Sequence, residues 1–171
     1  IGIDPFAMVR ALKENMVQGK IVSGASTLTQ QMIRITYPRN RTYSKKFIEV
    51  LRSFRAEGHL SKEEILEVYL NRVPMGNNLT GVEAASRIYF TKPSSSLSLH
   101  ETALLAALPK APGTLNPYGH NIEKLKVRRN WVLKRMYALG FISLDEKLRA
   151  EKKPIHVSEK VFPFDAPHFV E

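Results

Sequence analysis

Cysteine and long apolar runs are both absent from this sequence. Without cysteine, the chain has neither a disulfide framework nor a zinc site built on thiolates. The longest apolar run, Ala103 to Leu108, has six residues, whereas a helix that spans a bilayer needs about 20. The chain also begins with Ile1 rather than with a methionine and carries no signal peptide, so we expect a processed or excised piece of a longer protein.

Acidic residues are scarce relative to basic ones. The 171 residues include 26 Lys and Arg against 16 Asp and Glu, a formal net charge of +10. Such a charge favours anionic partners: nucleic acid, anionic lipid or a phosphorylated substrate. With 43% hydrophobic residues, the chain is long enough for one compact domain with a buried core.

The sequence also lacks the alternation that is typical of strands, and helix start and stop signals recur instead. Three Ser-x-x-Glu capping boxes begin at Ser61, Ser98 and Ser143. The predicted fold class is therefore all-α. We predict helices over about 5–18, 27–35, 44–57 with Gly58 as its end, 62–71, 81–90, 99–108, 122–139 and 144–152.

The segment from Gly24 to Gln31 has the composition of an anion site. Gly24 frees the backbone, and either Ser26 or Thr27 can cap the helix that follows. Unpaired N–H groups and hydroxyls then converge at one helix start, an arrangement that binds phosphate. An ordinary capped helix is the alternative interpretation.

The predicted helix over 44–57 is strongly amphipathic. Its apolar residues are expected to face the core, and its other face is charged around Glu49. By itself that charged face reads as a solvated surface with weak ion pairs. Beside the anion site, Arg34, Arg39 and Arg41, it becomes a basic cleft that fits a diphosphate. The apolar residues are Phe47, Val50, Leu51 and Phe54, and the polar ones Lys45, Lys46, Glu49, Arg52 and Ser53.

Successive motifs of this sequence resemble those of the peptidoglycan glycosyltransferase (transglycosylase) domain of class A penicillin-binding proteins, glycosyltransferase family 51. The resemblance covers about residues 1–140. The motifs, in order, are G-A-S-T-L-T-Q-Q at 24–31, R-T-Y-S-K-K-F-I-E at 41–49, K-E-E-I-L-E-V-Y-L-N at 62–71, G-V-E-A-A-S-R-I-Y-F-T-K at 81–92 and L-S-L-H-E-T-A-L-L-A-A-L-P-K-A-P at 97–112.

The resemblance implies a lysozyme-like helical fold with a small membrane-proximal lobe. It places the glycosyltransferase domain, without its N-terminal motif, at 1–153, and a linker toward a following domain, commonly a transpeptidase, at 154–171. The expected partners are lipid II, the growing glycan chain and moenomycin-type phosphoglycolipid inhibitors, with no nucleic acid. The expected location is the outer, periplasmic face of the bacterial cytoplasmic membrane, with the parent protein anchored upstream of Ile1.

The implied reaction is an inverting glycosyl transfer from a polyprenyl diphosphate. By motif position Glu49 matches the family's second catalytic carboxylate, which assists at the diphosphate. The resemblance also implies a divalent cation, Mg²⁺ or Mn²⁺, at this carboxylate. The Glu49 side chain and the diphosphate-binding residues form the candidate site. The expected substrate-binding residues are Ser26, Thr27, Thr29, Gln30, Gln31, Arg34, Arg41, Lys45 and Lys46.

The family's general base belongs to an E-D-x-x-F-x-x-H-x-G motif, which this sequence does not contain. We therefore expect the chain by itself to be inactive. Asp4 is interpreted as a helix cap, and Glu67 and Glu101 as packing or capping residues. The sequence departs from the family at Ile35 and Ile48, where polar residues are common, whereas Arg34 keeps a positive charge.

Two other functions compete with this interpretation. A lysozyme-like lytic enzyme would act on uncharged glycan, which leaves the basic cluster from Arg34 to Lys46 without a role. A basic helical nucleic-acid-binding module would need an exposed recognition helix. The stretch 122–139 is the candidate for it, with Lys124, Lys126, Arg128, Arg129, Lys134 and Arg135.

Overall fold

The structure is a computed structural model that describes residues 26–38 and 43–159, without the side chains of 43–45. The helix predicted over 5–18 lies outside the described residues, as do Arg39, Arg41 and most of the predicted linker. The described part contains helices α1 Leu28–Thr36, α2 Tyr43–His59, α3 Lys62–Arg72, α4 Val82–Phe90, α5 Leu99–Ala107, α6 Ile122–Ala138 and α7 Leu144–Lys152. Its β pairing is limited to an isolated bridge between Pro74 and Thr80, so the all-α prediction is confirmed.

Local capping chemistry sets most helix starts. The three capping boxes are present, and Thr27 caps α1 by accepting a hydrogen bond from the backbone N–H of Gln30. The prediction that Gly58 ends the second helix is wrong, because α2 continues through it to His59. Glycine weakens a helix interior by only about 1 kcal/mol, and the helix tolerates it here.

The described residues fall into two compact units, Ile1–Val73 and Pro74–Glu171. In the first unit, α1 packs against both α2 and α3. Its core contains Met32, Ile33 and Ile65, covered by four partly buried side chains. These are Ala56, Leu60, Val68 and Tyr69.

Helix α2 presents its polar face to α1, contrary to expectation. Ser53 is fully buried, whereas the predicted core residues Phe47, Leu51 and Phe54 are 64%, 52% and 48% exposed. The expectation that this apolar face is core is therefore wrong. The physical reason is that the side-chain hydrogen bonds between α1 and α2, from Lys46 to Gln30 and from Thr29 to Glu57, are made by the polar face of α2.

In the second unit, α5 packs against α4, α6 and α7. Ala103 of α5, Leu133 of α6 and Ala150 of α7 form a core cluster. Arg129 is completely buried and donates to the carbonyl oxygens of Glu151 and Lys153 at 2.9 and 2.7 Å. It thereby satisfies carbonyls at the end of α7 that have no partner within the helix.

The loop before α4 has an unusual backbone. Gly76, Asn77 and Asn78 all have positive φ angles, of 81°, 50° and 59°. The Asn77 and Asn116 amides exchange two hydrogen bonds of 2.8 Å, and Asn77 also donates to Tyr89 Oη at 3.0 Å. These bonds hold a conformation that non-glycine residues otherwise avoid.

Within the described residues, no helix combines the length and apolarity that crossing a membrane requires.

Candidate active site

The start of α1 is built from the motif that the sequence singled out. Thr27 Oγ1 accepts from Gln30 N at 3.2 Å, which decides between the two candidate caps. Gln31 Nε2 donates to the Ser26 carbonyl at 3.4 Å and so lies back over the helix start. The hydroxyl of Ser26 and the side-chain oxygen of Gln30 accept hydrogen bonds from α2.

The Lys46 ammonium is the centre of this site. Its Nζ donates to Ser26 Oγ at 3.2 Å, to Gln30 Oε1 at 3.1 Å and to the carboxylate of Glu49, one turn along α2. An ammonium has three N–H donors, so these protein acceptors match its full donor capacity. The structure thus brings Ser26, Gln30, Lys46 and Glu49 together.

Glu49 is the more buried member of its ion pair. Its side chain is 14% exposed, against 48% for Lys46. Its helix is tied locally by Ser53, whose hydroxyl donates to the Glu49 carbonyl oxygen at 2.7 Å. Within the described residues, no three His, Asp or Glu side chains form a group that could hold a metal ion.

Thr29 makes a second link between α1 and α2, which sequence reasoning missed. Its hydroxyl donates to Glu57 Oε1 at 2.5 Å, and Lys62 lies 3.9 Å from the same oxygen. Partial burial raises the pKa of Glu57, whereas the bond from Thr29 and the charge of Lys62 lower it, and the net direction is downward. Thr29 therefore positions α1 through its side chain, because that side chain is buried and donates to a carboxylate.

The remaining predicted cations are only partly described. Arg34 is exposed in the last turn of α1. Its charge lowers the pKa of the Tyr69 phenol, but burial is the larger effect, and the net direction is upward. Arg41 and the Lys45 side chain lie outside the described residues.

Arg52, which the sequence places on the polar face of α2, is not among the residues expected to bind substrate. Its guanidinium lies over the Tyr37 ring, 4.6 Å from the centroid. One of its terminal nitrogens, Nη1, is buried without a hydrogen-bond partner among the described residues. In the sequence, the one indication that Arg52 lies near the site is its spacing of three residues from Glu49, because residues three apart share a helix face.

Of the two acidic residues interpreted as packing or capping residues, Glu101 agrees with that interpretation. Glu101 completes the Ser98 capping box and accepts from Lys92 at 3.0 Å. Glu67 is exposed on α3.

The model of the family described as Transglycosylase matches residues 1–137 of the chain. The chain belongs to the transglycosylase family. This confirms the identification drawn from the successive motifs. The geometry around Lys46 is thus a feature of a transglycosylase domain.

Curated relatives of this transglycosylase are several times longer. Penicillin-binding protein 1A of Aquifex aeolicus is 45% identical over 160 residues, which are 93% of this chain and 22% of that protein. Penicillin-binding protein 1C of Escherichia coli is 39% identical over 168 residues, 98% of this chain and 22% of that protein. The chain therefore spans about a fifth of the length of the curated relatives it matches.

A solved structure supports the same fold. The crystal structure of Penicillin-Binding Protein 1A from Haemophilus influenzae matches with a TM-score of 0.55 and 34% sequence identity. The match covers 81% of this chain and 18% of that one. The helical fold expected from the resemblance is thus found in a related protein.

Proposed function

We propose that this chain is a peptidoglycan glycosyltransferase domain that polymerises lipid II into glycan strands. The observation that carries the proposal is the Lys46 ammonium, held between the start of α1 and Glu49. A polyprenyl diphosphate leaving group needs positive charge and hydrogen-bond donors where its oxygens develop charge. Lys46 and the α1 start supply both.

Lys46 has to exchange partners when a diphosphate binds. Ser26 and Gln30 offer it neutral acceptors, and hydrogen bonds from an ammonium to a diphosphate oxygen are stronger than those to neutral oxygens. Substrate binding therefore replaces these neutral acceptors first. Arg34, Arg41 and Lys45 are proposed to add further charge around the same group.

Glu49 is proposed to act beside the leaving group, not on the attacking hydroxyl. Its carboxylate accepts from Lys46 and so fixes where the ammonium points. Inverting transfer also needs a base for the attacking 4-hydroxyl of the second sugar. The resemblance assigns that base to a motif that these 171 residues do not include.

A divalent cation, Mg²⁺ or Mn²⁺, does not fit the described residues alone. Glu49 is the one carboxylate beside Lys46, and the described residues offer no group of three candidate ligands. No step of the proposed reaction is therefore assigned to a cation. Diphosphate binding measured with and without chelator tests this assignment.

The outward apolar face of α2 supports a location at a membrane surface. Phe47, Leu51 and Phe54 are all about half exposed or more and lie at helical spacing, so they present one stripe. A lipid-linked substrate carries its diphosphate at the membrane surface, and an apolar stripe beside a basic cleft suits that boundary. The proposed location is the periplasmic face of the bacterial cytoplasmic membrane, with the parent protein anchored before Ile1.

The competing lytic function leaves the cations Arg34, Arg41, Lys45 and Lys46 without a role, because its substrate, uncharged glycan, carries no diphosphate. A moenomycin-type phosphoglycolipid, by contrast, is expected to occupy the site through its phosphate.

Lipid II polymerisation tests the proposed function directly. We propose a chimera that joins the preceding residues of the Aquifex aeolicus relative to Ile1. Glycan strands from the chimera that disappear with Lys46→Met or Arg41→Met support the proposal. Release of fragments from finished peptidoglycan, with no polymer from lipid II, would favour the lytic enzyme.

A further inference from the structure

The outward face of α6 carries more positive charge than the described residues neutralise. The helix has one acid, Glu123, which lies 3.8 Å from Lys126. Lys124, Lys134 and Arg135 are exposed, and no described acid forms an ion pair with them.

The acids elsewhere in this unit are mostly engaged in local contacts. Ion pairs join Glu83 to Arg87, Glu101 to Lys92, Asp145 to Arg149 and Glu151 to Lys147. Glu146 completes a capping box. The charge on α6 is thus an uncompensated local excess rather than half of an internal network.

Two apolar side chains lie among these cations. Val127 is 69% exposed and Trp131 is 51% exposed. They are four residues apart and share a helix face. The Arg128 guanidinium lies over the Trp131 ring, 4.0 Å from its centroid, and this cation–π contact favours one ring orientation.

We infer that the outward face of α6 is a docking surface for an acidic amphipathic segment of a partner protein. The surface is defined by Lys124, Val127, Arg128, Trp131, Lys134 and Arg135. Carboxylates on the segment would pair with the Lys and Arg side chains, and an aliphatic side chain between them would cover Val127 and Trp131. Tryptophan and arginine are also the residue types that contribute most often to binding hot spots.

Other anionic partners fit this face less well. Insertion into a membrane surface requires a broad apolar face, and the large apolar residues Leu125 and Leu133 of α6 are buried in the unit. Reading a DNA groove requires Arg, Asn or Gln side chains that can reach base edges. On α6, Arg129 is buried and its Nε donates to the Asn130 side chain at 3.0 Å, and the Arg128 guanidinium lies over the Trp131 ring.

The single tryptophan of the chain reports directly on this surface. We would titrate the 171-residue protein with a short synthetic helix of Glu, Leu and Ala, and follow Trp131 emission together with the anisotropy of the labelled peptide. A blue shift of Trp131 and a saturating anisotropy are expected. The charge-reversal variant Lys134→Glu/Arg135→Glu should weaken binding by at least about tenfold, because it turns attraction into repulsion.

A matched variant controls for net charge. Arg72→Glu/Lys110→Glu changes the charge by the same amount at exposed positions that are not part of α6 and should change the affinity less than about twofold. Circular dichroism checks that both variants fold. An equal loss in both variants, or an unshifted Trp131 at saturation, would overturn the inference. The inference would also be overturned if duplex DNA or anionic vesicles shifted the Trp131 emission at lower concentrations than the peptide does.

Discussion

The Thr29 hydroxyl donates a 2.5 Å hydrogen bond to Glu57, joining the first turn of α1 to the last turns of α2. The same two helices bring Gln30 to Lys46. The geometry of the candidate site therefore depends on how firmly α1 is held.

Removing the Thr29 hydroxyl should loosen that attachment. Thr29→Val keeps the side-chain shape but leaves a partly buried carboxylate with one donor fewer, which should cost about 1–2 kcal/mol of unfolding free energy. Chemical denaturation measures it. Thr36→Val is the control, since its hydroxyl makes only a 3.9 Å contact to the Met32 sulfur. Equal losses in the two variants would show that the bond to Glu57 is unimportant.

Gly58 offers a stabilising change. It lies inside α2, and a Cβ built on it meets nothing within 4 Å. Gly58→Ala should therefore raise the unfolding free energy by about 0.5–1 kcal/mol, because alanine restricts the unfolded chain and favours helix. Thermal denaturation provides the measurement. A lower melting temperature would mean that the helix does not run through this position.

Gly76 should respond in the opposite way. Its φ is +81°, and an added Cβ would lie 2.7 Å from the Pro112 carbonyl oxygen. Gly140→Ala separates backbone strain from the close contact with Pro112, because the φ of Gly140 is also positive, at +76°, but nothing lies near its added Cβ. Both variants should lose about 1–2 kcal/mol from left-handed strain, and Gly76→Ala should lose more. Equal losses would argue against the close approach of Pro112.

Acid should destabilise the fold partly through Glu101. Burial raises the pKa of this carboxyl, but the hydrogen bonds from Ser98 and the Lys92 ammonium outweigh it, so the pKa lies below its ordinary value of 4.5. A lowered folded-state pKa contributes stability above 4.5 that is lost as the pH falls through the folded value. Glu101→Gln should flatten that loss in unfolding measurements from neutral pH to about pH 3. Glu123→Gln, at an exposed position, should keep the wild-type profile, and a flattened profile in Glu123→Gln alone would contradict the assignment.

Glu49 should matter for turnover and little for stability. In the chimera, Glu49→Gln is expected to slow lipid II polymerisation by about 10²-fold, as for the loss of one electrostatic stabiliser of the developing charge, because the variant no longer holds Lys46 by charge. Its unfolding free energy should change by less than about 1 kcal/mol, as is typical of a partly exposed ion pair. Glu67→Gln on α3 is the matched control. Unchanged turnover in Glu49→Gln would make this carboxylate a surface ion-pair partner only.

Local chemistry made much of the fold predictable. The capping boxes at Ser61, Ser98 and Ser143 depend on residues three positions apart, so the sequence displays them directly. The orientation of α2 was not predictable, because periodicity identifies two faces without telling which one packs. The Phe47 side of that helix was expected to be core and is exposed.

In the candidate site, too, contacts between residues close in sequence were predictable and long-range contacts were not. Lys46 and Glu49 share a helix face, and their motif suggested a common role. The contact from Thr29 to Glu57 joins residues 28 positions apart, and no local pattern predicts such a pair. Arg52 was expected on the polar face of its helix, but its contact with Tyr37 was not predictable, because only the folded structure brings the guanidinium over that ring.

In the proposed function, Lys46 binds the diphosphate of a lipid-linked sugar. The most direct test is calorimetric titration of the 171-residue protein, Lys46→Met and Lys124→Met with a lipid diphosphate sugar and with the same sugar lacking diphosphate. We expect Lys46→Met to weaken the diphosphate ligand by about tenfold or more, as the loss of a charge-assisted hydrogen bond implies. Binding of the uncharged sugar should not change, and Lys124→Met should retain wild-type affinity for both. If Lys46→Met binds the diphosphate ligand as tightly as the wild type, or weakens both ligands equally, Lys46 is not the diphosphate-binding group and the account is wrong.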